Sequence, residues 1–275
     1  MGALIKIAAD RDIAVVEIMF WRFAFGLPPL LLYIGFRSNA RAIRTRRFGA
    51  HVWRAAIGLV SMYLSFRAIA LLPLAEATTI GFAAPLFAIA LSALVLREQV
   101  GLRRWTAVIV GFVGVLIVAD PTGRALPAEG LFYAVGGAVG VACVTIAIRR
   151  ISRTEAPETV VFWFSALCLP VLGTFLPGVA SPHDAAEWAI LAAIGLFGGA
   201  AQLFMTGSLS FARISVVAPF DYVQLVWAVL FGWLVWNMVP TLQTWLGAAI
   251  IASCGVYSAY REHKLQQATT ARESG

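Results

Sequence analysis

Apolar residues run along this chain in long blocks bounded by charges or by Pro and Gly. The blocks fall near 13–36, 52–72, 74–96, 105–119, 129–148, 158–178, 187–211, 214–236 and 244–260. Each is apolar over a length that suits a membrane-spanning helix, which takes about 20 residues. Ahead of these nine stands Met1–Ala9, closed by Asp10-Arg11-Asp12. At 1.5 Å per residue this segment covers about 13 Å, about half of the hydrocarbon core, so it does not span alone. It also lacks the cationic start and small-residue cleavage site of a signal peptide.

The pattern repeats. A shift of 140 residues lays Ala88 on Ala228, Leu94-Val95 on Leu234-Val235, Leu102 on Leu242, Trp105 on Trp245 and Ala119 on Ala259. The same shift brings the blocks near 158–178, 187–211 and 214–236 onto those near 13–36, 52–72 and 74–96. Met1 then corresponds to Val141, inside a full span, so part of the first helix has no counterpart. This favours a start upstream of Met1 over a genuine half helix. Each repeat holds five helices, and an odd number makes the second enter the membrane from the opposite side. The expected fold is all-α and integral to the membrane: ten transmembrane helices, the first one short, as two inverted five-helix repeats. Residues 1–119 form the first repeat, 129–260 the second, and 261–275 a cytoplasmic tail.

Composition agrees. Of 275 residues, 60% are hydrophobic and 13% charged, against about 45–50% and about 25% in a soluble domain. A net charge of +7 would point to nucleic acid in a soluble protein, but here it sorts by loop. With the N-terminus cytoplasmic, fifteen Lys and Arg fall on inner segments (Arg37, Arg41, Arg44, Arg46, Arg47, Arg97, Arg103, Arg104, Arg149, Arg150, Arg153, Arg213, Arg261, Lys264, Arg272). Only Arg11 and Arg124 fall outside. That asymmetry places both termini in the cytoplasm, and no nucleic-acid partner is expected. Trp53 and Trp105 fall at inner ends, and Trp188, Trp233, Trp236 and Trp245 at outer ends, as interfacial anchors do. Cys143, Cys168 and Cys254 lie within apolar runs without metal-ligand spacing and read as packing residues. No cofactor or metal is expected.

The stretch Leu72-Pro73-Leu74-Ala75-Glu76-Ala77-Thr78-Thr79-Ile80-Gly81-Phe82-Ala83-Ala84-Pro85, followed by Leu96-Arg97-Glu98 and Gly111-Phe112-Val113-Gly114, resembles the first EamA module of the drug/metabolite transporter superfamily. Ser215-Val216-Val217-Ala218-Pro219-Phe220-Asp221-Tyr222, then Val239-Pro240 and Trp245-Leu246-Gly247, is similar to the second. The resemblance covers nearly the whole chain. It implies ten helices, a central solute cavity lined by helices 1–4 and 6–9, and helices 5 and 10 at the side, where a homodimer can form. Two departures stand out: the first helix is short, and Met238 occupies the place where the second module usually has an acid matching Glu98.

A charge near the bilayer centre costs about 2.5–3.5 kcal/mol on insertion scales, so ionisable residues there face protein or water and need partners. Arg22, near the middle of the second helix, offers a fork of donors for a substrate carboxylate; a structural ion pair with Glu17 or another acid is the plainer alternative. Asp221 follows Pro219, which removes a backbone hydrogen bond, and a titratable group beside such a break suits coupling or gating. Glu17, Glu76 and Arg67 belong to the same group, with Glu76 as a helix cap and an Arg67 salt bridge to Glu76 or Glu17 as the structural alternatives. Lys6 sits in the incomplete first helix.

Gln202, Thr206 and Ser210 stack on one helical face, as do Ser61 and Ser65; such stripes line cavities or join helices by hydrogen bonds. Gln224 and Tyr222 extend the polar face around Asp221, and Trp21, Trp163 and Trp227 are candidates for the wall of a solute pocket. Gly136/Gly140 and Gly195/Gly199 are GxxxG pairs for close helix approach.

The leading expectation is a secondary transporter of a small organic solute by alternating access. Export of an amino acid or related metabolite is the commonest implication of the resemblance; uptake of a vitamin or nucleoside-like cofactor is the alternative. A membrane-embedded enzyme is disfavoured. Asp10-Arg11-Asp12 has an Asp-x-Asp form, but the outer loops are short and HExxH, GxSxG and phosphate-cradling glycine loops are missing. A pure channel lacks a visible filter-like segment.

Overall fold

The structure is a computed structural model, and it describes residues 1–37, 43–94, 101–120, 126–211, 221 and 223–273. Among the described residues it is helical, with no strand. The helices are α1 (Gly2–Ala9), α2 (Val15–Arg37), α3 (Phe48–Leu71), α4 (Leu74–Gly81), α5 (Ala84–Leu94), α6 (Leu102–Ala119), α7 (Ala128–Ile151), α8 (Pro157–Phe175), α9 (Ala185–Phe211), α10 (Val223–Trp236) and α11 (Leu242–Glu273). Among the described residues, six helical stretches are long and apolar enough to cross a bilayer: Val15–Phe36, Phe48–Leu71, Leu74–Leu91, Ala128–Ile151, Pro157–Gly178 and Ala185–Phe211; Trp105–Ala119 and Val223–Trp236 are shorter apolar helices. Large side chains such as Phe36, Phe132 and Phe204 stand exposed on their outer faces. Lipid is the solvent in which such a surface is stable.

Polar contacts tie the helix ends into two sets. Arg47 reaches the carbonyl of Arg150 and the hydroxyl of Thr154, and Thr45 donates to Glu155, so the ends after α2 and α7 and before α3 and α8 share one face. This face carries Arg44, Arg46, Arg47, Arg149, Arg150 and Arg153. At the opposite face Lys6 lies 3.9 Å from Asp10, Asp10 accepts from the Trp236 indole, and Arg67 bonds Glu129.

Among the described residues, three turns end in a left-handed residue, and each is Asp or Asn: Asp12, Asp120 and Asn237 at φ 61°, 39° and 54°. Those side chains tolerate this region best after Gly.

Two spans differ from expectation. The block near 74–96 is broken at Phe82-Ala83 into α4 and α5, because Pro85 has no N–H to donate back to Gly81 and the helix closes on tighter bonds there, Ala83 donating to Ile80. The last helix runs past residue 260 to Glu273. Of the block near 214–236, the described part is Asp221 and α10.

The interior forms two main apolar clusters, and each draws on both halves of the chain. One joins Ile5, Ile18, Met19, Phe23, Phe66, Phe164, Leu191 and Ile194 from α1, α2, α3, α8 and α9. The other joins Leu72, Ile80, Leu86, Val115, Ala134 and Ile251 from α3 to α7 and α11. Small residues set the helix spacing. A Cβ on Gly140 would lie 2.6 Å from Ser61 Cβ, and one on Gly26 would lie 2.9 Å from the carbonyl of Gly195, so α3 meets α7 and α2 meets α9 backbone to backbone.

Candidate functional site

Arg22 lies on α2 where that helix crosses α9. Its side chain is buried, resting on Gly198, where a Cβ would come within 2.9 Å of Nε. Nη2 donates to the Gly198 carbonyl at 3.3 Å and to Gln202 Oε1 at 3.4 Å. Gln202 Nε2 reaches Thr206 Oγ1 at 3.5 Å, and Ser210 donates to the Thr206 carbonyl at 2.7 Å. The stripe expected on this helix is therefore a continuous polar ladder that starts from the arginine. It joins the first half of the chain to the second within helices of bilayer length.

Glu17, one turn and a residue before Arg22, is not its partner. Its Oε1 takes the imidazole Nε2 of His183 at 2.8 Å and the Trp21 indole N–H at 3.3 Å. His183 Nδ1 faces Glu187 Oε2 at 3.2 Å, while the backbone N–H of Glu187 donates to Asp184 at 2.7 Å. Trp188 stands edge-on to Trp21 and to the His183 ring, at 4.7 and 5.2 Å between centroids. Burial by itself would lower the His183 pKa, but the hydrogen bonds and charges of Glu17 and Glu187 outweigh it and hold the imidazolium above its usual range. This buried cluster ties α2 to the loop before α9.

The remaining expected residues are dispersed. Arg67 bonds Glu129 at 2.8 Å across α3 and α7, in place of an ion pair with Glu76 or Glu17. Glu76 accepts from the Thr244 hydroxyl at 3.0 Å, linking α4 to α11. Ser61 and Ser65 lie in the α3–α7 interface against Gly140 and Gly137. Trp163 sits at the arginine-rich end, its indole donating to the Ile43 carbonyl at 3.0 Å, beside an open cleft lined by Arg44, Arg46 and Phe48. Asp221, Gln224 and Trp227 are exposed on the α10 segment, with Trp227 stacked on Phe231. Tyr222, with Pro219, Arg97 and Glu98, lies outside the described residues. Cys168 and Cys254 are buried, whereas Cys143 is half-buried.

Sequence reasoning missed His183, a lone histidine in a short loop whose only signal is the i, i+4 spacing to Glu187. It also missed Arg54, which lies only two turns into α3 and yet is among the most buried side chains of the described residues.

The profile of the EamA-like transporter family matches residues 1–119 and 128–259. The chain is 32% identical to a riboflavin transporter of Vibrio cholerae over 84% of this chain and 78% of that protein. It is 31% identical to the pseudopaline exporter CntI of Pseudomonas aeruginosa over 91% of this chain and 88% of the other. A solved crystal structure superposes with a TM-score of 0.68 at 18% identity, covering 96% of this chain and 93% of that one, which supports the fold.

Proposed function

This chain belongs to the EamA-like transporter family, a membrane-embedded family of small-solute carriers, and from that premise we propose that it is a secondary transporter exporting an amino acid or related metabolite across the bacterial inner membrane by alternating access. The observation that carries the reading is the Arg22–Gln202–Thr206 ladder, a buried polar path between the two halves of the chain. Polar groups at that depth are costly unless they serve a partner. Trp21 beside Arg22 supplies an aromatic wall, Trp227 and Gln224 on α10 line the approach, and Tyr222 is the remaining residue assigned to solute binding. Asp221 carries the coupling proton. Glu17, through His183, closes the outer side, and the Arg67–Glu129 and Glu76–Thr244 contacts brace that end.

Alternating access needs two halves related by an inverted repeat, and the packing supports one. Exchanging every helix for its counterpart 140 residues on turns the α3–α7 contact into α9–α1 and the α2–α9 contact into α8–α3. The α2–α8 and α6–α11 contacts turn into themselves, the α5–α7 contact turns into α10–α1, and all of these contacts are present. The arginine-rich end is cytoplasmic by the positive-inside rule, with both termini there. A homodimer through α6 and α11 follows the resemblance, since this packed pair leaves Ile109, Val113, Leu116 and Leu246 exposed.

The likeness to a riboflavin transporter favours a second reading, uptake of a vitamin. Flux of a panel of labelled amino acids and vitamins into everted and right-side-out vesicles separates the two. Export predicts accumulation in everted vesicles, uptake in right-side-out ones, and no flux of any solute with intact protein rejects the carrier. Asp221→Asn is expected to flatten the pH profile of that flux; an unchanged profile removes the coupling role.

A further inference from the structure

Two arginines, not one, are buried at the crossing of α2, α3, α8 and α9. Arg54 on α3 is 1% exposed, and its guanidinium lies 3.9 Å from the centre of the Phe164 ring on α8. Arg22 lies 5.0 Å from the Phe23 ring, and Phe23 meets Phe164 edge to face at 5.1 Å, so the two cations flank a single aromatic pair. Both rest on glycine. A Cβ at Gly58 would collide with Arg54 Nη1 and come within 2.7 Å of Phe164, as one at Gly198 would crowd Arg22. The cradle is shaped for the guanidinium groups.

The charge, however, is unbalanced. Neither arginine forms a salt bridge among the described residues. Arg22 Nε and Arg54 Nε and Nη1 are buried with no hydrogen-bond partner. Their polar neighbours are the neutral Gln202 and Cys168, whose thiol donates to the Ala55 carbonyl at 3.8 Å, and His51, one turn before Arg54 with both ring nitrogens unpartnered. Aromatic faces offset part of the cost, but ring quadrupoles contribute far less than desolvating a charge removes. Two positive charges sharing one dry aromatic pair, with donor edges unused, require an anion.

We infer that Arg22 and Arg54 together form an anion site, and that the solute carried by this protein bears a carboxylate or phosphate whose charge the two guanidiniums share. The apolar body of the solute rests against Phe23 and Phe164. This rests on the carrier reading above and narrows its substrate class. The site is reached only when the two halves separate, since Arg22 and Arg54 come from the first half and Phe164, Gly198 and Gln202 from the second.

The test uses the full-length protein in nanodiscs of neutral phosphatidylcholine at constant ionic strength. Unfolding midpoints are compared in sodium chloride, inorganic phosphate, succinate and chloride plus succinamide. The expected result is a rise of a few degrees with phosphate or succinate at about ten times the dissociation constant, and none with succinamide. Arg54→Met removes the charge at similar volume. It is expected to be at least as stable as the wild type in chloride while losing the anion response. Arg54→Lys keeps a weakened response. If Arg54 is only a stacked structural cation, Arg54→Met is destabilised in chloride and the wild type gains nothing from either anion. If stabilisation appears only in nanodiscs containing phosphatidylglycerol and not with the soluble anions, the ligand is a lipid headgroup and the solute proposal falls. Vesicle flux separates this from failure of the carrier reading: flux confined to neutral solutes overturns the anion site alone, whereas anion binding without flux upholds the site and rejects the carrier.

Discussion

His183 holds its imidazole between Glu17 and Glu187, with Asp184 beside it, and so adds a positive charge to a site that already carries carboxylates. Its folded pKa is raised, so protonation favours the folded state. The stabilisation is fully present below the unfolded value of about 6.5 and is lost as pH rises through the higher folded value. His183→Asn is therefore expected to flatten the fall in unfolding midpoint as the medium is taken from mildly acidic to mildly alkaline. A slope identical to the wild type would show that the cluster does not bind a proton on folding. Arg67 is a different case. Its Glu129 partner is more than half exposed, and such pairs contribute about 0–1 kcal/mol, so it braces the helix end more than it stabilises the protein.

Helices in lipid gain nothing from hiding apolar faces from each other, so their association depends on close packing and on polar contacts between them. The α3–α7 interface is built on that rule. Ser61 sits on Gly140 and Ser65 on Gly137, where a Cβ would lie 2.6 and 2.8 Å from the serine side chains. Gly140→Ala is expected to cost about 1–3 kcal/mol by overpacking, read as a lowered unfolding midpoint in detergent. Gly35 offers the contrast: nothing lies within 4 Å of a Cβ there. Gly35→Ala is accordingly expected to be neutral or to stabilise by up to about 1 kcal/mol through helix propensity. Equal effects at the two positions would show that the glycines act through backbone entropy and not through helix spacing. The break between α4 and α5 is also an element-scale feature, since Pro85 frees the Gly81 carbonyl at membrane depth, where protein or a water-lined space must satisfy it.

Across the whole molecule, each apolar cluster is shared by both halves of the chain, and the polar ladder and the His183 cluster also bridge them. The halves are therefore joined through the very groups that the proposed alternating access would have to part. The distribution of charge supplies the whole-molecule prediction. With fifteen basic residues assigned to one side and two to the other, a C-terminal green fluorescent protein fusion is expected to fluoresce and a C-terminal alkaline phosphatase fusion to be inactive in a bacterial host. The reverse pair of results would invert the orientation, and with it the direction read from vesicle flux.

The lipid solvent, the order of the described helices and the clustering of arginines at one end were legible in the residues themselves. Hydropathy and loop charge are properties of short segments and need no knowledge of neighbours. The EamA modules were legible for the same reason, as local strings. The ladder was half legible: the spacing of Gln202, Thr206 and Ser210 put them on one face, but their contact with Arg22 depends on how α2 and α9 are rotated about their axes. Partner choice was decided by tertiary structure alone. Arg67 found Glu129, 62 positions away, and Glu17 found His183, 166 positions away. Each residue of a helix turns about 100° from the last, so small rotations change which acid meets which base. The convergence of Arg22 and Arg54 on one pair of aromatic rings is the clearest instance: glycines at the crossing bring four helices close enough to share it, and no local pattern along the chain encodes that distance.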